Sequence, residues 1–183
     1  NKINLLSNPT SLYTKQPTVY YGLMYLAKNA KKEVKIHTPY IICNDYMYKE
    51  LKNIKVPTTI MTNSAENNGN IFGAVDYLNH KKDIINTGVT IKEYEGGISY
   101  HGKSMTIDDD IAIVGSFNMD MRSAYIDTEL MLVINSKDIN EQLKASMEEY
   151  EKKAATVKNE TEYSHIPEGM KMKELSDKKK NIK

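Results

Sequence analysis

Residues 100 to 120, YHGKSMTIDDDIAIVGSFNMD, bring together side chains that suit chemistry at a phosphate group. His101 and Lys103 are two positions apart, and alternate side chains of a β-strand share one face. An imidazole can attack phosphorus near neutral pH, and a neighbouring ammonium group can neutralise a non-bridging oxygen. The pair therefore predicts a phosphate site at the start of a strand.

The sequence GSFN follows at the end of the next predicted strand and offers further phosphate ligands. Gly115 lets the backbone come close, and Ser116 and Asn118 carry short hydrogen-bond donors. The acidic turn at 108–110 would fold this strand back against the first one. Each piece alone has a plainer explanation, because a lone strand histidine usually packs or faces solvent and a Gly-Ser pair usually marks a turn.

The pieces together form the pattern H-x-K-x4-D-x6-G-S-x-N. Its six specified positions are His101, Lys103, Asp108, Gly115, Ser116 and Asn118. Such a match should arise by chance in about one chain of this composition in 100,000. The pattern resembles the HKD motif of the phospholipase D superfamily, and the continuation GSFNMDMRSAYIDTEL is similar to the GSFNxDxRSxxxNTE segment of bacterial cardiolipin synthases. HTPYII, TNSAENN and INTGVTIKEYE extend the resemblance over about residues 5 to 150.

The resemblance implies a role for each matching residue. His101 would be the nucleophile that forms a phosphohistidine, and Glu129 would orient it through a hydrogen bond to the other ring nitrogen, as carboxylates do in other catalytic dyads. The remaining matches divide into phosphate-binding residues, Lys103, Ser116 and Asn118, and residues that support the motif, Asp108, Gly115, Asp120 and Arg122. The family mechanism requires no metal and no cofactor.

The chain departs from the family pattern at one position. Asp127 stands where the N-T-E segment usually has asparagine, and on a strand its side chain would share a face with Glu129. For Asp120, Arg122 and Ser123, a buried ion pair is at least as good an interpretation as direct contact with substrate.

Other histidines and tyrosines carry weaker signals. His37 lies in KIHTPY, on a strand that could end near the site, but packing is the favoured interpretation. Tyr40 and Tyr100 could line a substrate groove, and packing is again favoured for both. His80 and His165 are assigned no function.

Predicted strands and helices alternate along the chain, which indicates an α/β domain with a mixed β-sheet between helices. The resemblance implies the phospholipase D-like fold. We predict a catalytic domain over residues 1–155 and a polar, lysine-rich tail over 156–183 that is loosely held or disordered.

Composition excludes several classes of site. The formal net charge is +1, from 25 basic and 24 acidic residues, so an anionic substrate must be held by a local arrangement. The single cysteine, Cys43, excludes a disulfide framework and a thiolate metal cluster within the chain. No run is long and apolar enough to span a bilayer. We expect this segment to be soluble and the full-length protein to be a membrane-associated bacterial protein.

One motif supplies only one histidine, whereas transfer through a phosphohistidine also needs an acid/base for the leaving and incoming groups. The first residues read like the interior of a longer protein, so we expect a C-terminal half of a two-motif enzyme; the alternative is a homodimer.

The favoured function is phosphatidyl transfer at a membrane surface. Hydrolysis of phospholipid or nucleic acid is a second candidate, with nucleic acid disfavoured by the near-neutral charge. A non-catalytic scaffold is the third.

Overall fold

The computed structural model describes residues 2–11, 13 and 15–181 of the chain. Eleven strands are found in this part: β1 (Lys2–Ser7), β2 (Val34–His37), β3 (Ile41–Ile42), β4 (Thr58–Asn63), β5 (Thr90–Tyr94), β6 (Ser104–Ile107), β7 (Ile111–Gly115), β8 (Met119–Asp120), β9 (Leu130–Asn135), β10 (Ala154–Val157) and β11 (Tyr163–His165). The helices in the same ranges are α1 (Thr18–Lys28), α2 (Asp45–Lys52), α3 (Ile71–Asn86), α4 (Met121–Tyr125), α5 (Lys137–Glu151) and α6 (Asp177–Lys180).

Nine of these strands form one sheet in the order β1-β9-β7-β6-β2-β4-β5-β10-β11. Strands β2, β4 and β5 are parallel and are linked by helices, as parallel pairing requires. On either side the pairing is antiparallel: β6, β7, β9 and β1 follow one another on one flank, and β10 and β11 on the other. The predicted α/β class with a mixed sheet and flanking helices is confirmed.

The core lies where helices cover the central strands. Helix α1 has buried apolar side chains at helical spacing, including Val19, Leu23 and Ala27, and these pack in the same cluster as Ile36 of β2 and Ile60 of β4. The opposite face of the central strands is more polar: Lys35 and His37 of β2 and Lys92 of β5 bind Glu151 of helix α5 there.

The C-terminal region is built into the sheet and onto its loops. Strand β10 pairs antiparallel with β5, so the predicted boundary at residue 155 falls inside a strand. Further on, Lys179 is only 9% exposed, and its ammonium group donates hydrogen bonds to the backbone carbonyls of Ala65, Glu66 and Asn68 at 2.7, 2.6 and 3.0 Å. The last helix is thereby attached to the loop that follows β4.

Candidate active site

The β6–β7 hairpin gathers the motif residues at one end of the sheet. Ser104 pairs with Val114, and the backbone N–H of Gly115 donates to the carbonyl of Lys103 at 3.3 Å. The segment before β6 therefore lies beside the segment after β7, as the sequence predicted. Strand β6 begins only at Ser104, so His101 belongs to an irregular segment, residues 95–103, and not to the strand itself.

The side chains of His101 and Lys103 are in contact, as their spacing predicted. The Lys103 ammonium lies 3.0 Å from Nδ1 of His101 and donates to the His101 carbonyl at 2.8 Å. Burial, with the Lys103 cation adding to it, lowers the pKa of His101 below its ordinary value of 6.5. The imidazole is consequently neutral at pH 7, which is the protonation state that a nucleophile needs.

Lys103 lies in a mixed electrostatic environment. Burial lowers the pKa of Lys103, while the carboxylates of Glu129 and Asp120 act in the opposite direction. Partial desolvation strengthens the attraction of this ammonium for an anion because the dielectric around it is low, whereas the two carboxylates keep it protonated and reduce the positive potential that an anion meets. This places a cation beside the imidazole at the mouth of the site.

Glu129 is bound to serine hydroxyl groups on both of its oxygens. Ser116 Oγ donates to Oε2, and Ser123 Oγ donates to Oε1 at 2.7 Å. Ser123 Oγ in turn accepts from the backbone N–H of Asn118 at 3.2 Å. The described residues His101 and Glu129 do not form the hydrogen bond that the resemblance implies. In this structure Glu129 instead holds the loop that carries Ser116 and Asn118.

Asn118 has a free hydrogen-bonding atom at this loop. Its amide Oδ1 is buried and has no partner among the described residues. A buried amide atom without a partner is uncommon in a folded protein, and it frequently marks a functional position. The side chain is thus not tied to the fold through this atom.

Gly115 is required by the close approach of β9 to β7. A Cβ at this position would lie 2.1 Å from the carbonyl oxygen of Leu130 and 2.9 Å from Cα of Met131. Any larger residue would push the two strands apart at the point where Ser116 follows.

Asp108 lies at the far end of the hairpin from His101. It has a positive φ of 51°, and its carboxylate accepts hydrogen bonds from the backbone N–H groups of Lys31, Lys32 and Glu33. These bonds lower the pKa of Asp108 against the opposing effect of burial. The side chain ties the turn to the loop before β2 and does not face the imidazole.

Asp120 and Arg122 do not pair with each other. Asp120 caps helix α4 by accepting from the backbone N–H of Ser123 at 2.6 Å, and burial raises its pKa. The exposed Arg122 guanidinium instead donates to Asp127, with Nε 3.0 Å from Oδ2. The alternative of a buried ion pair is therefore wrong, and the aspartate that replaces asparagine in this chain serves as the partner of Arg122.

His37 is buried beneath the segment that carries His101. Its Nε2 lies 3.1 Å from Oε1 of Glu151, and its Nδ1 lies 3.3 Å from the Tyr100 hydroxyl. Burial lowers the pKa of His37, so the neutral ring donates to Glu151 and accepts from Tyr100. Its role is packing and hydrogen bonding inside the fold, as favoured from the sequence.

The remaining candidates lie in different surroundings. Tyr100 lines an open pocket beside His101 together with Tyr94 and Tyr150, whereas Tyr40 is half-buried against helix α3. His80 pairs with Asp76 on the same helix at 3.4 Å. His165, in β11, is exposed. Within the described ranges, no three histidine, cysteine, aspartate or glutamate side chains are grouped so that they could hold a metal ion.

Comparison with known proteins identifies a family. The family described as cardiolipin synthase, PLD-like domain, matches residues 23–150. Cardiolipin synthase 1 of Staphylococcus epidermidis is 29% identical over 159 residues, which cover 85% of this chain and 32% of that protein. The chain thus spans about a third of the length of this relative.

Two solved structures share the fold at low sequence identity. The phospholipase D family member Nuc from Salmonella typhimurium superposes with a TM-score of 0.66 at 16% identity, covering 85% of this chain and 97% of Nuc. Phosphatidylserine synthase from Haemophilus influenzae also gives a TM-score of 0.66, at 18% identity, covering 91% of this chain and 43% of the synthase. The arrangement of strands around the hairpin is therefore that of a known fold.

Proposed function

Because the chain belongs to the phospholipase D-like domain family of cardiolipin synthases, we propose that it forms half of the active site of a phosphatidyltransferase with His101 as nucleophile. The observation that carries the proposal is the hairpin register. It brings the segment with His101 and Lys103, whose ring nitrogen and ammonium are 3.0 Å apart, next to the strand end from which Ser116 and Asn118 follow.

The proposed reaction has two displacements at phosphorus. A ring nitrogen of His101 attacks the phosphodiester, the bond from phosphorus to the first alcohol breaks, and that alcohol takes a proton from a general acid. The hydroxyl group of an acceptor lipid then attacks the phosphohistidine and gives its proton to the same group, and the P–N bond breaks. His101 is regenerated, and one ester bond has replaced another.

Lys103 and the loop after β7 are proposed to stabilise the charge on the phosphoryl oxygens. Lys103 supplies a cation and Asn118 an amide, and Ser116 supplies a hydroxyl once its proton turns from Glu129 to the phosphate. Lys103 donates to Nδ1 of His101 in the structure, so a neutral ring carries its proton on Nε2. Attack by Nε2 requires this proton to move to Nδ1, which becomes possible when Lys103 turns to the phosphate and Glu129 takes up the role that the resemblance implies.

The general acid is proposed to come from a second copy of the motif. The motif in this chain contains one histidine, the exposed His101. His37 is buried in the fold and cannot reach a substrate as the general acid. The second motif would belong either to another part of the same polypeptide or to an identical subunit. The phosphatidyl substrate places the enzyme at a membrane surface; in the part of the chain that is described, no helix has the length and apolar character to cross a bilayer.

A second candidate is hydrolysis of the same intermediate. His101 is exposed, so water can reach a phosphohistidine unless an acceptor lipid or a second domain covers it. The substrate would be a phospholipid or, as the less favoured choice given a net charge of +1, a nucleic acid.

The proposal is tested with His101→Asn. The full-length protein, as wild type and as variant, is incubated with phospholipid vesicles carrying a phosphate label, quenched in alkali and run on a denaturing gel. We expect a labelled band for wild type and none for His101→Asn, while the control His165→Asn, at an exposed position, keeps the label. Equal labelling of His101→Asn would overturn the assignment of the nucleophile.

Supplying phospholipid and an oligonucleotide together distinguishes the substrates. Mass spectrometry of the products should show a new phospholipid with the headgroup exchanged. Release of phosphatidic acid alone would favour hydrolysis, and a cleaved oligonucleotide without any lipid product would contradict phosphatidyl transfer.

A further inference from the structure

The segment that carries His101 is held by side chains rather than by a strand ladder. Residues 95 to 103 connect β5 to β6 without regular secondary structure. A nucleophile on such a segment has no neighbouring strand to fix its position, and an error of about 1 Å can lower a rate about 100-fold. The contacts that replace the ladder therefore matter for the chemistry.

Asn63, the last residue of β4, binds both backbone groups of Tyr100, the residue that precedes His101. Its Oδ1 accepts from the Tyr100 N–H at 2.7 Å, and its Nδ2 donates to the Tyr100 carbonyl at 2.9 Å. An amide side chain is the group that can do both, because it presents a donor and an acceptor side by side. The side chain of Asn63 thus replaces a strand partner for Tyr100.

The remaining hydrogen-bonding capacity of Asn63 is also used. Nδ2 donates to the Pro39 carbonyl at 2.8 Å, and Oδ1 accepts from Asn67 Nδ2 at 3.1 Å. The residue is 1% exposed, so water cannot replace a lost bond. Asn63 is consequently fixed by the fold on one side and fixes Tyr100 on the other.

Asn67 continues the attachment further from the histidine. Its Nδ2 donates to the Ile98 carbonyl, and its Oδ1 accepts from the Gly97 N–H, both at 3.1 Å. The loop after β4 is thereby joined to the segment before His101 at successive points, with Asn63 closest to the nucleophile.

We propose that Asn63 is a positioning residue for His101, acting through the two backbone hydrogen bonds to Tyr100. The kinetic test of this inference rests on the proposed function, whereas the NMR test does not. Asn63→Asp keeps the shape of the side chain but removes both donors and places a carboxylate against two carbonyl oxygens. The Tyr100 carbonyl is then released or repelled, and the His101 backbone shifts.

Asn140→Asp is the matched control. Asn140 is also a fully buried asparagine whose Nδ2 donates to a backbone carbonyl, that of Ile111, at 2.7 Å. It sits at the opposite end of the β6–β7 hairpin. The two variants lose similar bonds, but only Asn63→Asp loses them beside the nucleophile.

We expect kcat of Asn63→Asp to fall at least about 10-fold with KM changed less than about 3-fold, while Asn140→Asp keeps its kcat at a comparable loss of stability. Protonation of the new carboxyl restores one donor, so the rate of Asn63→Asp relative to wild type should recover as the pH is lowered. A kcat equal to wild type, or an equal loss in both variants, would overturn the proposal.

NMR of the His101 ring separates this inference from the proposed function, since it needs no turnover. Asn63→Asp should shift or split the His101 resonance, and Asn140→Asp should leave it in place. If Asn63→Asp does not fold, Asn67→Ala provides the same test with a smaller expected shift. An unchanged His101 resonance in a folded variant would contradict positioning, whether or not wild type transfers phosphatidyl groups.

Discussion

At the scale of single residues, the site is characterised by a cation held against a neutral imidazole. The Lys103 ammonium approaches Nδ1 of His101 to 3.0 Å, and both groups have a lowered pKa because they are partly desolvated. A lowered histidine pKa keeps the nucleophile available at neutral and mildly acidic pH. The lysine pKa is lowered as well, but the carboxylates of Glu129 and Asp120 oppose this effect.

Titration of His101 should show this arrangement directly. We expect its ring resonances to titrate with a midpoint below 6.5 in NMR spectra, because burial and Lys103 both disfavour the imidazolium form. Lys103→Met should raise the midpoint by removing the nearby cation. Lys137→Met, at the far end of the hairpin, serves as the control and should leave the midpoint unchanged; a His101 midpoint at or above 6.5 in wild type would contradict the proposed environment.

At the scale of elements, the β6–β7 hairpin determines which residues meet. Its register follows from the short acidic turn at 108–110, so the approach of His101 and Lys103 to the GSFN segment was predictable from the sequence. The start of β6 at Ser104, after His101 and Lys103, was not predicted. The attachment that holds residues 95–103 comes from Asn63, 37 positions before Tyr100, and no local pattern reveals such a contact.

Other contacts around the site could not be predicted from the sequence for the same reason. The Ser123 hydroxyl bonds to Glu129 across the end of a helix and a turn. The segment TNSAENN extended the family resemblance, but its letters did not reveal that Asn63 and Asn67 bind the segment before His101. The polar composition after residue 155 predicted a loose tail. The pairing of β10 with β5 and β11 was not predicted, because it depends on backbone hydrogen bonds rather than on an apolar pattern. The motif spacing thus predicted the candidate site residues and two of their supports, Asp108 and Gly115, but it did not predict the contacts that Asn63 and Asn67 make from a distant part of the chain.

Gly115 tests the packing of the hairpin against β9. In Gly115→Ala the new methyl group would overlap the Leu130 carbonyl, so we expect a loss of roughly 1–3 kcal/mol in the free energy of unfolding and displacement of Ser116. Urea denaturation measures the first effect, and the rate of labelling at His101 reports the second. Gly69→Ala, whose methyl group would be 3.5 Å from Ser99, is the tolerated control; equal stability of both variants would argue against the predicted overlap.

At the scale of the whole molecule, one carboxylate joins α5 to the centre of the sheet. Glu151, at the end of α5, bonds to His37 of β2 at 3.1 Å and to Lys92 of β5 at 2.8 Å. Burial alone would raise its pKa, but the hydrogen bonds from His37 and Lys92 outweigh burial and lower the pKa from 4.5 to about 2. The same His37 ring contacts Tyr100, so this ionic cluster supports the site from below.

The depressed pKa of Glu151 predicts acid sensitivity. In the unfolded chain this carboxyl binds a proton near pH 4.5, so its stabilising effect is complete above about pH 5 and is lost as the pH falls toward 2. The loss is at most about 3 kcal/mol. Urea denaturation at several pH values should show a shallower fall for Glu151→Gln than for wild type. Glu149→Gln, exposed on the same helix, should follow wild type, and identical slopes for all three proteins would contradict the prediction.

Strand β1 completes the sheet with residues from the other end of the domain. Lys2 pairs with Asn135, and Asn8 Nδ2 donates to the carbonyl of Ser123 at 2.7 Å, next to the Ser123 hydroxyl that holds Glu129. Contacts between residues more than 110 positions apart form late, because a large loop must close first. During synthesis β1 therefore stays unpaired within this domain until β9 has been made, and the loop that carries Ser116 and Asn118 is fully supported only when these two distant segments meet.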